Sequence, residues 1–433
     1  MKTFKALILF ITAIHFCYAQ EKSEGLPKLS TVEKVYGLSK IWSEVRYNFV
    51  GIEDLPFDLD SLYSKTIEDV INAEDVFQYY NVLSRFCAQM NDGHTYITYP
   101  SHIRKTKLTY PPLRTDFVEE KVVITKVYND SLRKIGITEG LEVLEINGID
   151  VMMYGKKKIE PYASASTKQG LIERIYHFNL LKGDIDEVIE LTFRDIKGNT
   201  FRHKISRRLP EKKPQKKAVE FHLINDDIGL LTVNKFSSDD FWHKFDSIYS
   251  DILETDALII DVRSNLGGNS QQGYYILRHL TTSSIQTTKW ITRESTSIYN
   301  VYGLNSFWQM KSPDIIPPID NKQLYDKPIA VLINANTLSA AEDFCAVFDY
   351  MDRGILIGSK TGGTTGQPMF IELPGGGKAK ICIRKDMYPD GTEYVGKGVI
   401  PDIEIQKTIE SVLNKEDLVL KKAASILVSE TIE

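Results

Sequence analysis

The stretch Thr337–Asp343, "TLSAAED", contains a serine whose surroundings suit covalent chemistry. Ser339 stands three residues before Glu342, which is the spacing of a helix capping box, where the hydroxyl accepts a hydrogen bond from a backbone N–H group. The same serine can be a nucleophile, because the first turn of a helix offers N–H groups and a positive dipole end that stabilise an oxyanion. On this stretch alone capping is the commoner role, and both interpretations remain open.

A second stretch, "LIIDVRSNLGGNS", places two adjacent glycines directly after an apolar run, Leu258–Val262, that reads as a strand. In an α/β fold the carboxyl ends of the strands border the active crevice. Gly267 and Gly268 can there present bare N–H groups to a developing oxyanion. The alternative is a tight turn from strand to helix, which glycine also favours.

Motifs for metal or nucleotide chemistry are missing from the sequence. There is no HExxH, no CxxC and no phosphate-binding loop, so we expect neither a metal nor another cofactor. Beyond the first twenty residues the cysteines are Cys87, Cys345 and Cys382, an odd number at wide spacing. This pattern indicates small buried residues rather than a disulfide framework or a zinc site, with a single bridge between Cys345 and Cys382 as a possibility.

The composition is that of a globular protein with two or three domains. The chain has 433 residues, of which 42% are apolar and 26% charged. Its 53 basic residues fall to 51 if the first nineteen residues are removed, against 58 acidic residues, so the net charge changes from -5 to -7. This acidic balance disfavours nucleic acid as a partner. The sequence does not determine the oligomeric state.

Residues 1–19 have the pattern of a secretory signal peptide. Two lysines precede an apolar run, and small residues allow cleavage after Ala19. A transmembrane anchor is the alternative, but the run is shorter than the ~20 residues that a span requires. Lipid attachment at Cys17 is disfavoured by the bulky Phe16 before it. We therefore expect export to the periplasm or the exterior without stable insertion in a membrane.

The patterns of apolar and polar residues in the remaining chain predict a multidomain α/β protein. Residues 20–108 are predicted to form a helical domain, and residues 109–210 a domain of short strands. A charged, proline-broken linker at 211–217 leads to an α/β core at 218–408 and a C-terminal helix at 409–433.

The domain at 109–210 resembles a PDZ domain in the order and the sequences of the segments "GITEGLEVLEINGIDV" and "LTFRDIKGN". PDZ domains bind extended peptides by adding a strand to a sheet, so the resemblance implies a peptide-binding role. The alternative is a small β domain that acts only as a spacer.

Four ordered motifs, "DVRSNLGG", "TLSAAED", "GSKTGGTTGQP" and "VGKGVIPDIEI", follow that domain. Together they resemble the family of C-terminal-processing proteases and the tricorn core protease, and the resemblance covers nearly the whole mature chain. It implies a crotonase-like protease core in which Ser339 is the nucleophile. The N–H of Ala340 and one from Gly267 or Gly268 would form the oxyanion hole.

A serine nucleophile needs a base, and the two branches of this family supply it differently. The processing-protease branch uses a lysine in a "TFGKG" segment. The matching segment here, Thr361–Gly366, has Thr364 in place of that lysine. Lys360 lies four residues earlier and is a weak substitute.

The tricorn branch uses a histidine from the helical domain, and the matching "DGHT" segment contains His94. The resemblance therefore implies His94 as the general base, with an apparent pKa near ~6.5 if it is unperturbed. Gly93 stands where that branch has a serine. Val395 stands where it has a glutamate, and Glu393, on the same face of a predicted strand, is either a displaced partner or a surface carboxylate.

The sequence therefore predicts an exported serine peptidase that acts on polypeptide substrates. Two alternatives remain open. A catalytically inactive peptide-binding protein on the same scaffold would account for the departures at Gly93 and Val395. An acyl-ester hydrolase would use the same serine chemistry, although the sequence lacks the GxSxG nucleophile elbow.

Overall fold

The structure is a computed structural model, and it describes residues 26, 28–208, 216–224, 227–294, 301–303, 307–320 and 322–430. The predicted signal peptide at 1–19 lies outside the described residues. So does residue range 211–215 of the predicted linker.

The helices of the described residues are numbered in chain order. They are α1 Thr31–Asn48, α2 Leu59–Asn72, α3 Val76–Ala88, α4 Ser101–Thr106, α5 Asp130–Lys134, α6 Val151–Tyr154, α7 Lys168–Ile172, α8 Phe241–Leu253, α9 Ser270–Leu277, α10 Ala340–Tyr350, α11 Ile409–Leu413 and α12 Leu418–Glu430. Short 3-10 turns lie at Ile52–Asp54 and Glu160–Tyr162, and π-helical turns at Gly155–Ile159 and Glu173–Asn179.

The strands are numbered in the same way. They are β1 Tyr96–Thr98, β2 Leu113–Val118, β3 Lys121–Val127, β4 Glu142–Ile146, β5 Ile149–Asp150, β6 Val188–Arg194, β7 Thr200–Ser206, β8 Val219–Leu223, β9 Ile228–Val233, β10 Ala257–Asp261, β11 Ile285–Gln286, β12 Lys289–Glu294, β13 Phe307–Lys311, β14 Ile315–Ile316, β15 Ile329–Ile333, β16 Ile355–Gly358, β17 Pro368–Glu372, β18 Lys378–Cys382, β19 Arg384–Met387 and β20 Ile403–Glu404.

The first three helices begin at side-chain caps. Ser30 and Glu33 form a capping box at the start of α1, while Asp58 and Asp75 accept backbone N–H groups at the starts of α2 and α3. Their apolar faces share one core with strands β17 and β18. Because that core includes Leu38 from α1 and Ile381 from β18, it fixes the helical segment to the C-terminal part of the chain.

An antiparallel sheet with the order β2-β3-β4-β6-β7 follows, and β5 pairs with β4 beside it. Its buried side, with Val143 and Phe193, packs with Ile175 and Leu180 from the helical stretch that follows α7. Alternating burial along β6 is typical of a sheet with one covered face.

The C-terminal part is built on a six-stranded sheet with the order β20-β16-β15-β10-β9-β8, parallel except for the pair β8–β9. Both faces are covered. Leu258 and Ile260 of β10 face a core that contains residues of α8, α9 and α10, while Ala257 and Ile259 face a core that contains residues of α12. This two-sided burial explains the uninterrupted apolar run of β10 in the sequence.

Strand β1 ties the end of the helical segment to the C-terminal part. It pairs antiparallel with β18, with Tyr96 opposite Lys380 and Thr98 opposite Lys378. The residues immediately before β1 are thereby held against the α/β core, although they are distant in sequence.

Cys87, Cys345 and Cys382 are all buried and unbonded, so the possible bridge between Cys345 and Cys382 is not formed. No helix among the described residues has both the length and the apolarity to cross a membrane. Within the same residues, histidine, cysteine and carboxylate side chains form no group of three that could hold a metal ion.

Candidate active site

Ser339 stands at the sharp turn between β15 and α10. Its backbone has φ 55° and ψ -130°, a left-handed conformation that a residue with a side chain adopts at a cost of about 1–3 kcal/mol. Two neighbouring loops hold the turn: Leu338 N–H donates to the Asn265 carbonyl at 3.1 Å, and Ser339 N–H donates to the Thr364 carbonyl at 2.9 Å. The strained turn sets the serine hydroxyl at the start of the helix.

His94 lies opposite that hydroxyl. Its Nε2 is 3.2 Å from Ser339 Oγ, which is hydrogen-bonding distance. The His94 backbone N–H donates to Asp92 Oδ1 at 3.0 Å, and the pairing of β1 with β18 fixes the following residues. The structure therefore brings together Ser339 and His94, the two residues that the sequence singled out as nucleophile and base.

The imidazole of His94 is held in its neutral form. Burial, and after it the positive charges of Lys380, Arg174 and Arg384, lower the pKa of His94 from 6.5 to about 3. A neutral imidazole with its proton on Nδ1 has a free lone pair on Nε2, which can accept the proton of Ser339.

The other imidazole nitrogen, His94 Nδ1, is buried and has no hydrogen-bond partner among the residues that the structure describes. The structure does not bring Glu393 to this nitrogen. Glu393 is exposed, and its carboxylate pairs with Lys385 Nζ at 2.9 Å and with Lys397 Nζ at 4.0 Å. The predicted strand around Glu393 is not formed: residue 393 makes only an isolated bridge to Met387, while the next residue, Tyr394, is buried and donates to Asp343 Oδ1.

The glycine loop approaches Ser339 and the first residue of helix α10 closely. A β carbon built on Gly267 would lie 2.6 Å from Ser339 Cβ and 2.9 Å from Ala340 N, so only a glycine fits against the nucleophile. Gly267 N–H donates to Asn265 Oδ1 at 2.9 Å. The N–H groups of Gly268 and Ala340 have no protein acceptor in the described part of the chain. These two groups are free to bind an oxyanion.

Glu342 organises the loop behind the serine. This fully buried carboxylate accepts hydrogen bonds from Thr361 Oγ1 at 2.6 Å, Gly363 N at 2.6 Å and Thr364 N at 2.8 Å, and a longer one from Ser339 N at 3.3 Å. Burial raises its pKa to about 7 despite these donors. The sequence identified Glu342 only as the second member of a capping box, and its links to the 361–364 loop were missed because they join distant segments.

Ser166 is a further contact residue that the sequence did not indicate. Its Oγ accepts from Gly93 N at 3.0 Å and from Thr364 Oγ1 at 3.1 Å, so it links the histidine segment to the loop behind the nucleophile. No short motif surrounds Ser166, and only the fold reveals this role. Lys360, the weak substitute base, is an exposed residue.

The site thus brings a serine hydroxyl to a neutral imidazole, at the start of a helix and beside the glycine loop. The arrangement suits attack on a carbonyl carbon, with the proton passing to His94 and the oxyanion resting on backbone N–H groups.

Comparison with protein families and curated proteins finds similarity to serine proteases. Residues 227–405 match the model of peptidase family S41. A "Probable CtpA-like serine protease" of Staphylococcus epidermidis is 23% identical over 293 residues, which cover 65% of this chain and 55% of that protein. A protein of the same description from Staphylococcus aureus is 24% identical over 295 residues, with the same two shares. The chain thus spans about half the length of the curated relatives it matches.

Solved structures share the fold over most of the chain. Mature CPAF superposes with a TM-score of 0.74 at 17% identity, covering 93% of this chain and 98% of that one. A putative peptidase from Parabacteroides merdae gives 0.56 at 17% identity, with 92% and 97% covered. The photosystem II D1 C-terminal processing protease gives 0.52 at 18% identity, with 86% and 93% covered. The chain therefore has a mixed α/β multidomain fold similar to that of these proteins.

Proposed function

Because the chain belongs to peptidase family S41, to which residues 227–405 match, we propose that it is a serine-type peptidase that hydrolyses peptide bonds in polypeptide substrates. Ser339 is the nucleophile and His94 the general base. The observation that carries this assignment is the 3.2 Å contact between His94 Nε2 and Ser339 Oγ.

In the proposed reaction, Ser339 Oγ attacks the carbonyl carbon of the scissile bond while its proton passes to His94 Nε2. The tetrahedral intermediate collapses as the protonated His94 gives that proton to the leaving amine. Water, deprotonated by the same imidazole, then hydrolyses the acyl-serine ester. The pair acts as a dyad, because the one candidate carboxylate, Glu393, is paired with Lys385 instead.

The N–H groups of Ala340 and Gly268 stabilise the oxyanion in both steps. Of the two glycines proposed for this role, Gly268 is favoured because Gly267 already donates its N–H to Asn265. Gly267 has a different use, since its missing side chain lets the loop approach Ser339.

We further propose that the antiparallel sheet β2–β7 is a PDZ-like domain that engages the peptide substrate, and that residues 1–19 direct export to the periplasm or the exterior. The support for the first proposal is the resemblance of the 109–210 sequence and the five-stranded antiparallel path formed there. The sequence pattern of residues 1–19 supports the second.

A fluorophosphonate probe tests the assignment directly, because it reacts with activated serines. We expect the wild-type protein to be labelled and the Ser339→Ala variant to remain unlabelled. Turnover of a denatured protein substrate and of a simple ester then separates a peptidase from an ester hydrolase. A folded wild-type protein that is neither labelled nor active on protein would contradict the proposal and favour a peptide-binding role.

A further inference from the structure

A cavity of about 560 Å³ lies next to the chain segment that carries His94. Its walls come from α3, the β1 segment and α4 on one side, and from the helical stretches 151–162 and 168–179 on the other. Gly93, the residue before His94, lines the cavity. A polypeptide bound at Ser339 would therefore have this space within reach.

The charged residues that line this cavity are all cationic. They are Arg104, Lys107, Lys158, Arg174 and Lys182, and neither aspartate nor glutamate is in the lining. Lys107 is paired with Asp184, just outside the lining. The other four cations form no ion pair with any residue that the structure describes, which leaves a concentration of uncompensated positive charge. The chain has 58 acidic residues, yet none of their carboxylates lines this cavity.

Two of these cations, Arg174 and Lys182, are half-buried. Arg174 packs its guanidinium over the Phe178 ring at 5.7 Å, and Lys182 Nζ donates to Asn179 Oδ1 at 2.5 Å. Burial and the nearby Arg174 and Arg114 lower the pKa of Lys182 to about 8. Holding unpaired charges away from water costs free energy, and an anionic ligand would offset that cost.

We propose that this cavity is a recognition site for acidic side chains of the polypeptide substrate, so that the enzyme prefers segments rich in aspartate or glutamate near the cleaved bond. The inference rests on the proposed peptidase function for the presence of a polypeptide at the site. Carboxylates are the matching ligand because the guanidinium of Arg174 can bind one through two parallel hydrogen bonds, with Lys182 as a second charge.

Binding to the Ser339→Ala variant tests this proposal without any chemical step. The probes are two short peptides that alternate glycine with glutamate or glycine with glutamine, both acetylated at the N terminus and amidated at the C terminus. We expect the glutamate peptide to bind about tenfold more tightly at low ionic strength, and the difference to shrink as salt is added. Equal affinity for the two peptides would overturn the proposal.

Substitutions then show whether the residues of this cavity cause the preference for the glutamate peptide. In the Ser339→Ala background, Arg174→Gln and Lys182→Gln should each remove most of the preference for glutamate, and Arg174→Lys should retain part of it. Lys157→Gln is the matched control, since Lys157 is exposed on the same helical stretch as Lys158 and does not line the cavity. A preference that survives the Arg174 and Lys182 substitutions would contradict this site.

If the Arg174 and Lys182 variants fold poorly, two exposed residues of the cavity lining can be substituted instead. Arg104→Gln combined with Lys158→Gln changes only exposed side chains and should also reduce the preference. A preference that appears only when the peptides carry a free C-terminal carboxylate would overturn the proposal in favour of chain-end recognition. Because binding is measured without turnover, its failure is separate from a failure of the fluorophosphonate test of Ser339.

Discussion

Thr364 packs so closely against Gly93 that residue 93 has no room for a side chain: a β carbon built on Gly93 would lie 2.6 Å from both Cγ2 and Oγ1 of Thr364. With a threonine at position 364, the chain therefore requires a glycine at residue 93. The threonine occupies the space that a side chain at residue 93 would fill, and Ser166 hydrogen-bonds to both.

This coupling predicts the behaviour of a double variant. Gly93→Ser alone should displace the His94 segment through the clash with Thr364 and reduce the rate of fluorophosphonate labelling at least tenfold. The φ of Gly93 is not positive, so a side chain there is disfavoured by the clash and not by the backbone. Gly93→Ser with Thr364→Ala should recover part of the rate. A double variant no faster than Gly93→Ser would show that the two positions are independent.

Glu393 is predicted to be dispensable for turnover. Its exposed carboxylate pairs with Lys385 and not with His94, so Glu393→Gln should change the rate of protein hydrolysis less than about threefold. Glu372→Gln is a matched control, because Glu372 is another exposed glutamate paired with a lysine, Lys378 at 2.6 Å. A loss with Glu393→Gln as large as that of His94→Ala would mean that Glu393 reaches the imidazole during catalysis.

As the pH is lowered, the labelling rate of Ser339 should begin to fall only at a pH well below the pKa of an ordinary histidine. Since the pKa of His94 is lowered to about 3, the imidazole remains an available base throughout the range from pH 7 to about pH 4. The apparent pKa near ~6.5 that the sequence predicts for an unperturbed histidine is therefore replaced by a lower pKa, chiefly because His94 is buried. The measurement is the labelling rate of Ser339 against pH.

Folding must be followed in the same experiment. The unfolded chain protonates His94 near pH 6.5 while the folded chain resists protonation, so this residue lowers stability as pH falls from 6.5 toward 3. Circular dichroism at each pH identifies the range in which the protein is folded. A labelling rate that declines with an apparent pKa near ~6.5 while the protein stays folded would contradict the lowered pKa.

Glu342 is predicted to support both stability and activity. Glu342→Ala would leave the buried donors of Thr361, Gly363 and Thr364 without an acceptor, at a total cost of about 3 kcal/mol or more in the free energy of unfolding. Labelling of Ser339 should also slow, since the loop behind it loses its anchor. Urea unfolding measures the first effect. Glu410→Ala, at an exposed first-turn glutamate of α11, should have little effect on either quantity.

Ser339 and His94 were predicted as nucleophile and base from the resemblance of their motifs to a known family, since the local pattern at Ser339 alone favours a helix cap. Ser339 opens a helix after a buried strand, and His94 follows a turn before a strand, so each could be assigned a place without knowledge of the other. The contact between them depends on the pairing of β1 with β18, which joins segments far apart in the chain.

The sequence could not predict contacts that arise only when distant segments pack. The links from Ser166 to Gly93 and Thr364, and from Glu342 to the 361–364 loop, have no local pattern. Glu393 illustrates a different case, because the strand that the sequence predicted around it is not formed. Its carboxylate lies exposed and pairs with Lys385.

The most direct test of the central claim compares four proteins in one assay of protein hydrolysis: His94→Ala, Ser339→Ala, the combination of both, and Lys360→Ala. Since nucleophile and base act as a unit, each of the first two should lose at least about a thousandfold in rate, and the double variant should lose no more than the worse single one. Lys360→Ala should retain most of the wild-type rate. A folded His94→Ala with near-normal turnover, beside an inactive Lys360→Ala, would contradict the account and assign the base to Lys360.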